Sequence, residues 1–435
     1  MEKKQIKSYE EAVEYICGIP RFTSKNTMEE SRAFLRKLGN PGERMKVIHV
    51  AGTNGKGSVC AYLCGVLKSA GYTACRFTSP HLTDIRERFV IDGKMITREA
   101  FFEAFLTVYE HLPWEDLRGN GGYHPTFFEY LFFMAMLLFE KAGTDYCVLE
   151  TGLGGRLDAT NTVLKKEIAI ITHLGMDHME YLGDTPEKIA KEKAGIMKAG
   201  SPVVFWKTEE QVDKVLMEEA EKLCIPAFSV SKSDYTFLTF HNKSIDFSYQ
   251  SLYYDSVRLC VHTMARYQME NATLALRALE ILFGDGRLTP KTMQKGLQEV
   301  FWAGRMEEVK PGVFVDGAHN EDGIRAFLET VALDGCTSDR HLLFGVVQDK
   351  EYGRMMEEIL SSRLFSDISL VQIKNGRSLA ADKLSEVFTQ YTGRKTACYR
   401  SAREALEAAL GAKKEDERVY IAGSLYLVGE IKELL

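Results

Sequence analysis

The stretch "VIHVAGTNGKGSVCAYL", residues 47–63, decides how this chain is read. Residues 47–50 read as a buried strand, and residues 59–67 carry an apolar face at helical spacing, so "AGTNGKGS" is a strand-to-helix turn. Gly52, Gly55 and Gly57 let the backbone turn tightly and aim its N–H groups at one point. The helix N-terminus and Lys56 add positive potential there, which suits a phosphate. The spacing is not that of the common phosphate loop. G-x-x-x-x-G-K-[ST] would place glycine at 50 and Ser or Thr at 57, where this chain has Val50 and Gly57. Taken alone, the segment is read equally well as a plain glycine-rich turn.

At 435 residues the chain is too long for one ordinary core and predicts two or three domains. A hydrophobic fraction of 45% and a charged fraction of 27% are those of a globular protein and exclude a disordered one. Net charge is −6, with Lys and Arg scattered, so nucleic acid is not expected as a partner. The start "MEKKQIKSYEEAVEYI" is basic but has no apolar core behind it, and the longest apolar run, "YLFFMAMLLF" at 130–139, is too short to cross a bilayer. That run is expected to be a buried helix and the protein to be cytoplasmic and free of membrane. Nine cysteines with no C-x-x-C pair fit a set of reduced thiols, with Cys60 and Cys64 one helical turn apart on an apolar face.

Along the chain, short β-branched runs alternate with helix-like stretches: "KVIHVAG", "YCVLET", "IAIITHLG" and "SPVVFW" in the first part, then "VFVDGA", "HLLFGVV", "ISLVQI" and "RVYIAGS". Alternation of this kind predicts α/β domains with parallel sheets flanked by helices. The boundary is placed in "FGDGRLTPKTMQKGLQEVFWAGRM", giving domains at 1–300 and 301–435.

Further motifs follow in order: "SPHLTDIRERFVIDG" at 79, "VLETGLGGRLDATN" at 148, "THLGMDHMEYLG" at 172, "KEKAGIMKAG" at 191, "GRMEEV" at 304, "VDGAHN" at 315 and "IAGSLYLVGEI" at 421. Together with the loop they closely resemble the folate-specific members of the Mur ligase superfamily, the dihydrofolate synthase and folylpolyglutamate synthase enzymes. The likeness runs from "GIPRF" at 18 to the C-terminus, and in that superfamily the phosphate loop is a shortened form ending G-K-G-[ST]. It implies a P-loop-type, mostly parallel ATPase domain and a smaller Rossmann-like C-terminal domain that closes over ATP and glutamate.

Glu150 and His178 stand at the ends of predicted strands, where ligands of open α/β sheets are met, and with Ser79 they make a mixed O/N set suited to magnesium. The resemblance implies that Ser79, Glu150 and His178 are metal ligands, and that Lys193 of "EKAGI" is carbamylated and helps hold a second Mg2+. On spacing alone, Lys193 belongs to a solvated helix face with Lys188, Lys191, Lys198, Glu187 and Glu192. The same resemblance implies ATP contacts from Thr53, Asn54, Gly55, Lys56, Gly57, Ser58, Asn271, Arg305 and Asp316, and catalytic roles for Lys56, Lys193 and His319. Near Asn271 this chain has Tyr267 and Gln268 where the family usually has His-Gln. Arg86, Thr126, Glu129, Leu157, Asp158 and Ala159, with the loop "RFTSKN" at 21, match positions that surround the pterin. Asp158 resembles an aspartate of members that also accept dihydropteroate.

The expected reaction is attack of a substrate carboxylate on the γ-phosphate of ATP, then displacement of phosphate from the acyl phosphate by the amine of L-glutamate. The acceptors are tetrahydrofolates and dihydropteroate, and a monomer is expected. A nucleotide-driven switch, a silent pterin-binding relative, a folate ligase without dihydropteroate activity and a Mur-type ligase for another carboxylate are the alternatives.

Overall fold

Strand β1 (Lys46–Ala51) is buried from Val47 onward and lies at the middle of an eight-stranded sheet. The others are β2 (Ala74–Phe77), β3 (Phe89–Ile91), β4 (Lys94–Met95), β5 (Tyr146–Glu150), β6 (Ile168–Ile171), β7 (Val203–Trp206) and β8 (Ala227–Val230), in the order β4-β3-β2-β5-β1-β6-β7-β8. All pairs from β2 to β8 are parallel; β3 and β4 are added antiparallel at one edge. The buried strands are continuous runs of Val, Ile and Ala because both faces are covered. This computed structural model describes residues 3–20, 26–118, 122–241, 243–374 and 376–435, so residues 21–25 of the loop "RFTSKN" lie outside the described residues.

One face of the sheet is covered by the helix Lys56–Ser69, which follows β1 and packs on the helices Tyr267–Phe283 and Pro290–Gln298. The other is covered by the helix Phe127–Ala142, which holds the long apolar run and is buried almost throughout. Thr126 caps that helix by accepting from the Glu129 N–H, and Gly143 ends it in a left-handed conformation at φ 63°.

A second sheet was not anticipated by the alternating pattern. Strands β9 (Tyr235–His241), β10 (Ser244–Tyr249) and β11 (Val257–Val261) form an antiparallel meander inside the first domain, with apolar residues of β10 and β11 packed in the same core. Its strands are joined by short turns with no helix between them, so a search for strand-helix repeats passes over them. The C-terminal domain has six strands, β12 (Glu307–Lys310), β13 (Val313–Val315), β14 (Arg340–Phe344), β15 (Asp367–Val371), β16 (Cys398–Tyr399) and β17 (Arg418–Ala422), ordered β12-β13-β17-β14-β15-β16. All its pairs are parallel except β12 with β13.

The loop helix and the helix Pro290–Gln298 meet backbone to backbone. A methyl group on Gly65 would lie 2.5 Å from the Gly296 carbonyl oxygen, and one on Gly296 would lie 2.5 Å from Val66 Cα. Gly296→Ala gains about 1 kcal/mol of helix propensity, but main chain cannot yield as a side chain does. Overpacking therefore wins, and a net loss of about 1–3 kcal/mol is expected in denaturant unfolding. Gly411→Ala, in a helix where nothing lies within 4 Å, is expected to be neutral or stabilising.

Candidate active site

Because β1 pairs with β5 on one side and β6 on the other, the segments leaving their carboxyl ends are neighbours: the glycine loop, Glu150 and the "GMDH" segment. Gly55 is the N-cap of the helix Lys56–Ser69, at φ 86°, and no side chain caps the helix. Its first-turn N–H groups are left for a ligand. A side chain at Gly55 would collide with Asn271 Oδ1 at 2.2 Å, and one at Gly57 with the Trp302 ring at 2.5 Å. The loop is braced by its neighbour: Thr53 Oγ1 donates to the Gly175 carbonyl at 3.0 Å and Thr172 Oγ1 to the Asn54 carbonyl at 2.6 Å. Lys56 Nζ donates to the Thr53 carbonyl at 3.1 Å. Ser58 is buried beneath, its hydroxyl accepting from Gln268 Nε2 at 3.1 Å, while Asn271 Nδ2 donates to Gln268 Oε1 at 3.0 Å.

Lys56, Ser79, Glu150, His178, Lys193, Arg305 and His319 line one cleft of about 620 Å³ between the two domains. Glu150 is buried, accepts the Ser79 N–H at 2.9 Å and has no ion-pair partner among the described residues. Burial pushes its carboxyl above the usual range, against the opposing pull of Lys56. An anion held this way, with a serine and an imidazole on the same cleft, fits a hard cation. His178 sits at φ 51°, and burial pushes it down to about 4, so its ring is neutral at pH 7.

Lys193 departs from the reading by spacing. It ends the helix Pro186–Ala194 with its side chain turned inward, is 4% exposed, and donates from Nζ to the Gly52 carbonyl at 2.8 Å. Burial, assisted by Lys56, pushes the ammonium down to about 7. Lys188 and Lys191 remain on the solvated face.

Across the cleft, Arg305 packs against Gly317, where a side chain would meet its Nη1 at 2.2 Å, and no carboxylate lies within ion-pair distance of it among the described residues. His319 Nδ1 donates to the Gly317 carbonyl at 2.8 Å, which fixes the tautomer and leaves Nε2 as an acceptor, 3.8 Å from Asp177 Oδ2. Burial and Lys350 push this imidazole down to about 3. Asp316 lies behind the cleft wall. Its two oxygens accept from the Tyr267 hydroxyl at 2.6 Å, the Met306 N–H at 2.9 Å and the Ala318 N–H at 2.8 Å. Tyr267, the departure from His-Gln, is thus a strut from the first domain to the second.

Sequence reasoning passed over the contacts that join the domains. Lys350 Nζ meets Asp177 Oδ1 at 2.5 Å with both side chains buried, and Asn54 and Asn320 exchange two amide hydrogen bonds of 3.1 and 3.0 Å. Asn320 also reaches Asp177 Oδ2 at 3.3 Å. Burial opposes the Asp177 charge, but Lys350, His178 and His319 hold its carboxyl well below the usual range. Asp177 was visible in "GMDH" beside His178; Lys350 in "QDKEYG" carries no local signal of its own.

The residues matched to the pterin do not line this cleft. Arg86 is paired with Asp84 at 2.6 Å. Thr126 and Glu129 form a capping box, and both Glu129 oxygens are taken, by Ser31 at 2.6 Å and by Asn26 and the Thr126 N–H at 2.7 Å. Asp158 is buried and accepts from the N–H groups of Gly152, Leu153 and Thr160, shaping the turn that follows Glu150. Leu157 is exposed and Ala159 buried beside it. Phe128 backs the cleft-lining Gly152, whose own side-chain position it fills at 2.7 Å.

Comparison with known proteins accords with this geometry. Residues 50–279 match the Mur ligase middle domain and residues 304–425 the Mur ligase, glutamate ligase domain. The chain is 32% identical to a dihydrofolate synthase/folylpolyglutamate synthase of Bacillus subtilis, over 98% of this chain and 99% of the relative, and 30% identical to a folylpolyglutamate synthase of Lacticaseibacillus casei, over 98% and 99%. Among solved structures it is similar to Mycobacterium tuberculosis folylpolyglutamate synthase complexed with ADP, with a TM-score of 0.89, 26% identity and 98% of each chain covered. It is also similar to E. coli FolC in complex with DHPP and ADP, with a TM-score of 0.84, 25% identity, and 98% of this chain and 97% of that one covered. With both domain models matched in order and these relatives aligned from end to end, the chain belongs to the dihydrofolate synthase/folylpolyglutamate synthase branch of the Mur ligase family.

Proposed function

We propose that this cleft uses ATP to join the amino group of L-glutamate to the terminal carboxylate of a folate, and that dihydropteroate is a second acceptor. The observation that carries the reading is the meeting of three things in one cleft: an uncapped helix N-terminus, the buried Glu150, and Arg305 on the facing domain, the last two in no ion pair among the described residues. The first and third suit the phosphates of a nucleotide; the second suits the divalent cation that accompanies them. Ser79, Glu150 and His178 would hold Mg2+, which supplies Lewis-acid stabilisation of charge on the transferring phosphoryl group.

A carboxylate is nucleophilic as it stands, so the first step needs alignment more than a base. Lys56, the loop N–H groups and Arg305 would neutralise charge as the phosphoryl group moves and as phosphate leaves. His319 has its acceptor nitrogen on the cleft, but an imidazole whose conjugate acid lies near 3 is a weak base. Its role is read as orienting the incoming amine, with the amine proton passing to the departing phosphate or to solvent. Lys193, buried and near neutrality, is suited to add carbon dioxide through its free amine and lose a proton, which would turn it into an anion beside the metal set. A cytoplasmic monomer acting on small molecules is the form in which we expect it to work.

ADP release with Mg-ATP and L-glutamate tests the function. Glutamate-dependent turnover with both tetrahydrofolate and dihydropteroate is expected; turnover with tetrahydrofolate alone would remove the second acceptor, and turnover with neither would overturn the folate reading. Lys56→Ala is expected to lower kcat by about 10²–10³-fold, the usual loss for one preorganised charge stabiliser. With 13C-bicarbonate, a carbamate carbon resonance is expected in the protein and not in Lys193→Arg; its absence from the unmodified protein would sink the carbamate. Lys350→Met leaves Asp177 buried without its cation. About 3–5 kcal/mol of coupling between the domains should disappear, read in calorimetry as one unfolding transition dividing into two.

A further inference from the structure

Outside the cleft, the antiparallel meander gathers a second set of donor groups. Asp246 and Cys260 are directly opposed on β10 and β11. His241 stands on β9 two residues beyond Thr239, the partner of Asp246, and so shares their face of the sheet. The ligand atoms of His241, Asp246 and Cys260 all lie within 4.8 Å of one another. Asp246 is buried; its Oδ1 faces His241 Nε2 at 3.0 Å and its Oδ2 accepts from Arg258 Nη2 at 2.6 Å.

We propose that His241, Asp246 and Cys260 form a zinc-class site on the meander, independent of the magnesium set in the cleft. Tetrahedral Zn2+ with bonds of about 2.0–2.3 Å separates neighbouring ligand atoms by roughly 3.3–3.6 Å, so donor atoms that lie within 4.8 Å of one another need close by no more than about an ångström. An N, O and S donor set selects a borderline-soft ion over Mg2+. Oδ1 of Asp246 is the metal-facing oxygen, and Arg258 on Oδ2 becomes the outer partner that orients the carboxylate. A cysteine thiol that holds no metal keeps its proton at neutral pH. Binding breaks its S–H bond, forms a metal–sulfur bond and releases one proton to solvent, and affinity therefore rises with pH. Solvent completes the coordination. The ion would pin together three strands whose β9–β10 turn carries Lys243, an ion-pair partner of Glu308 in the second domain.

The test is titration of chelator-treated, reduced protein with Co2+ in excess Mg2+. A near-ultraviolet thiolate-to-cobalt band is expected to saturate at about one equivalent, to bleach when Zn2+ is added and to vanish in Cys260→Ser; His241→Gln should weaken binding at least tenfold, as ligand loss does. Zn2+ should raise the thermal unfolding midpoint of the unmodified protein but not of Cys260→Ser, with basal glutamate-dependent turnover the same in both. No band in the unmodified protein, or a band that persists in Cys260→Ser, overturns the site without touching the ligase reading.

Discussion

The active cleft depends on the parallel hydrogen bonding that holds β1 between β5 and β6. In a parallel sheet every strand delivers its carboxyl end to the same edge, and a strand whose neighbours connect in opposite directions leaves a crevice beside it. That geometry brings residue 55, residue 150 and residue 178 together although they are far apart in the chain. The glycines of the loop are consequences of the same crowding: Asn271 and Trp302 press against Gly55 and Gly57 at distances where no side chain fits. The glycine loop is therefore shaped as much by the helix Tyr267–Phe283 and the interdomain segment as by its own sequence.

The two domains are joined by polar contacts, and this has an energetic meaning. A buried ion pair such as Asp177 with Lys350 gains little over a hydrophobic pair of the same size, because removing both charges from water costs nearly what their attraction returns. What it confers is directionality. Asp177 is adjacent to His178 on the first domain and touches Asn320 and Lys350 on the other domain, so the approach of the domains and the placement of His178 in the cleft are linked through one carboxylate. Tyr267 to Asp316 and the paired amides of Asn54 and Asn320 set the same register at two other points.

Lys193 illustrates how far periodicity can mislead about chemistry. The helix Pro186–Ala194 is rich in Lys and Glu, and each charge at that spacing reads as solvated. Yet a helix has only one solvated face, and the position of Lys193 at its last turn, beside Ala194 and Ile196, turns the ammonium toward the Gly52 carbonyl. Thr126 and Glu129 show the reverse. They were matched to the surroundings of a pterin, and in the structure they form the capping box that starts a helix. The antiparallel meander was passed over because its pattern lacks the intervening helices that made the rest legible.

The sequence by itself determined the α/β class, the strand that precedes the glycine loop and the family, because β-branched runs and short ordered motifs are local properties that folding does not alter. Tertiary structure decided which residues share the cleft, that Lys193 is buried, that Asp316 and Asp158 are committed to backbone N–H groups, and that Lys350 faces Asp177. Those outcomes depend on which strands are neighbours and on how deeply a charge is removed from water, and both are set by contacts between segments hundreds of residues apart.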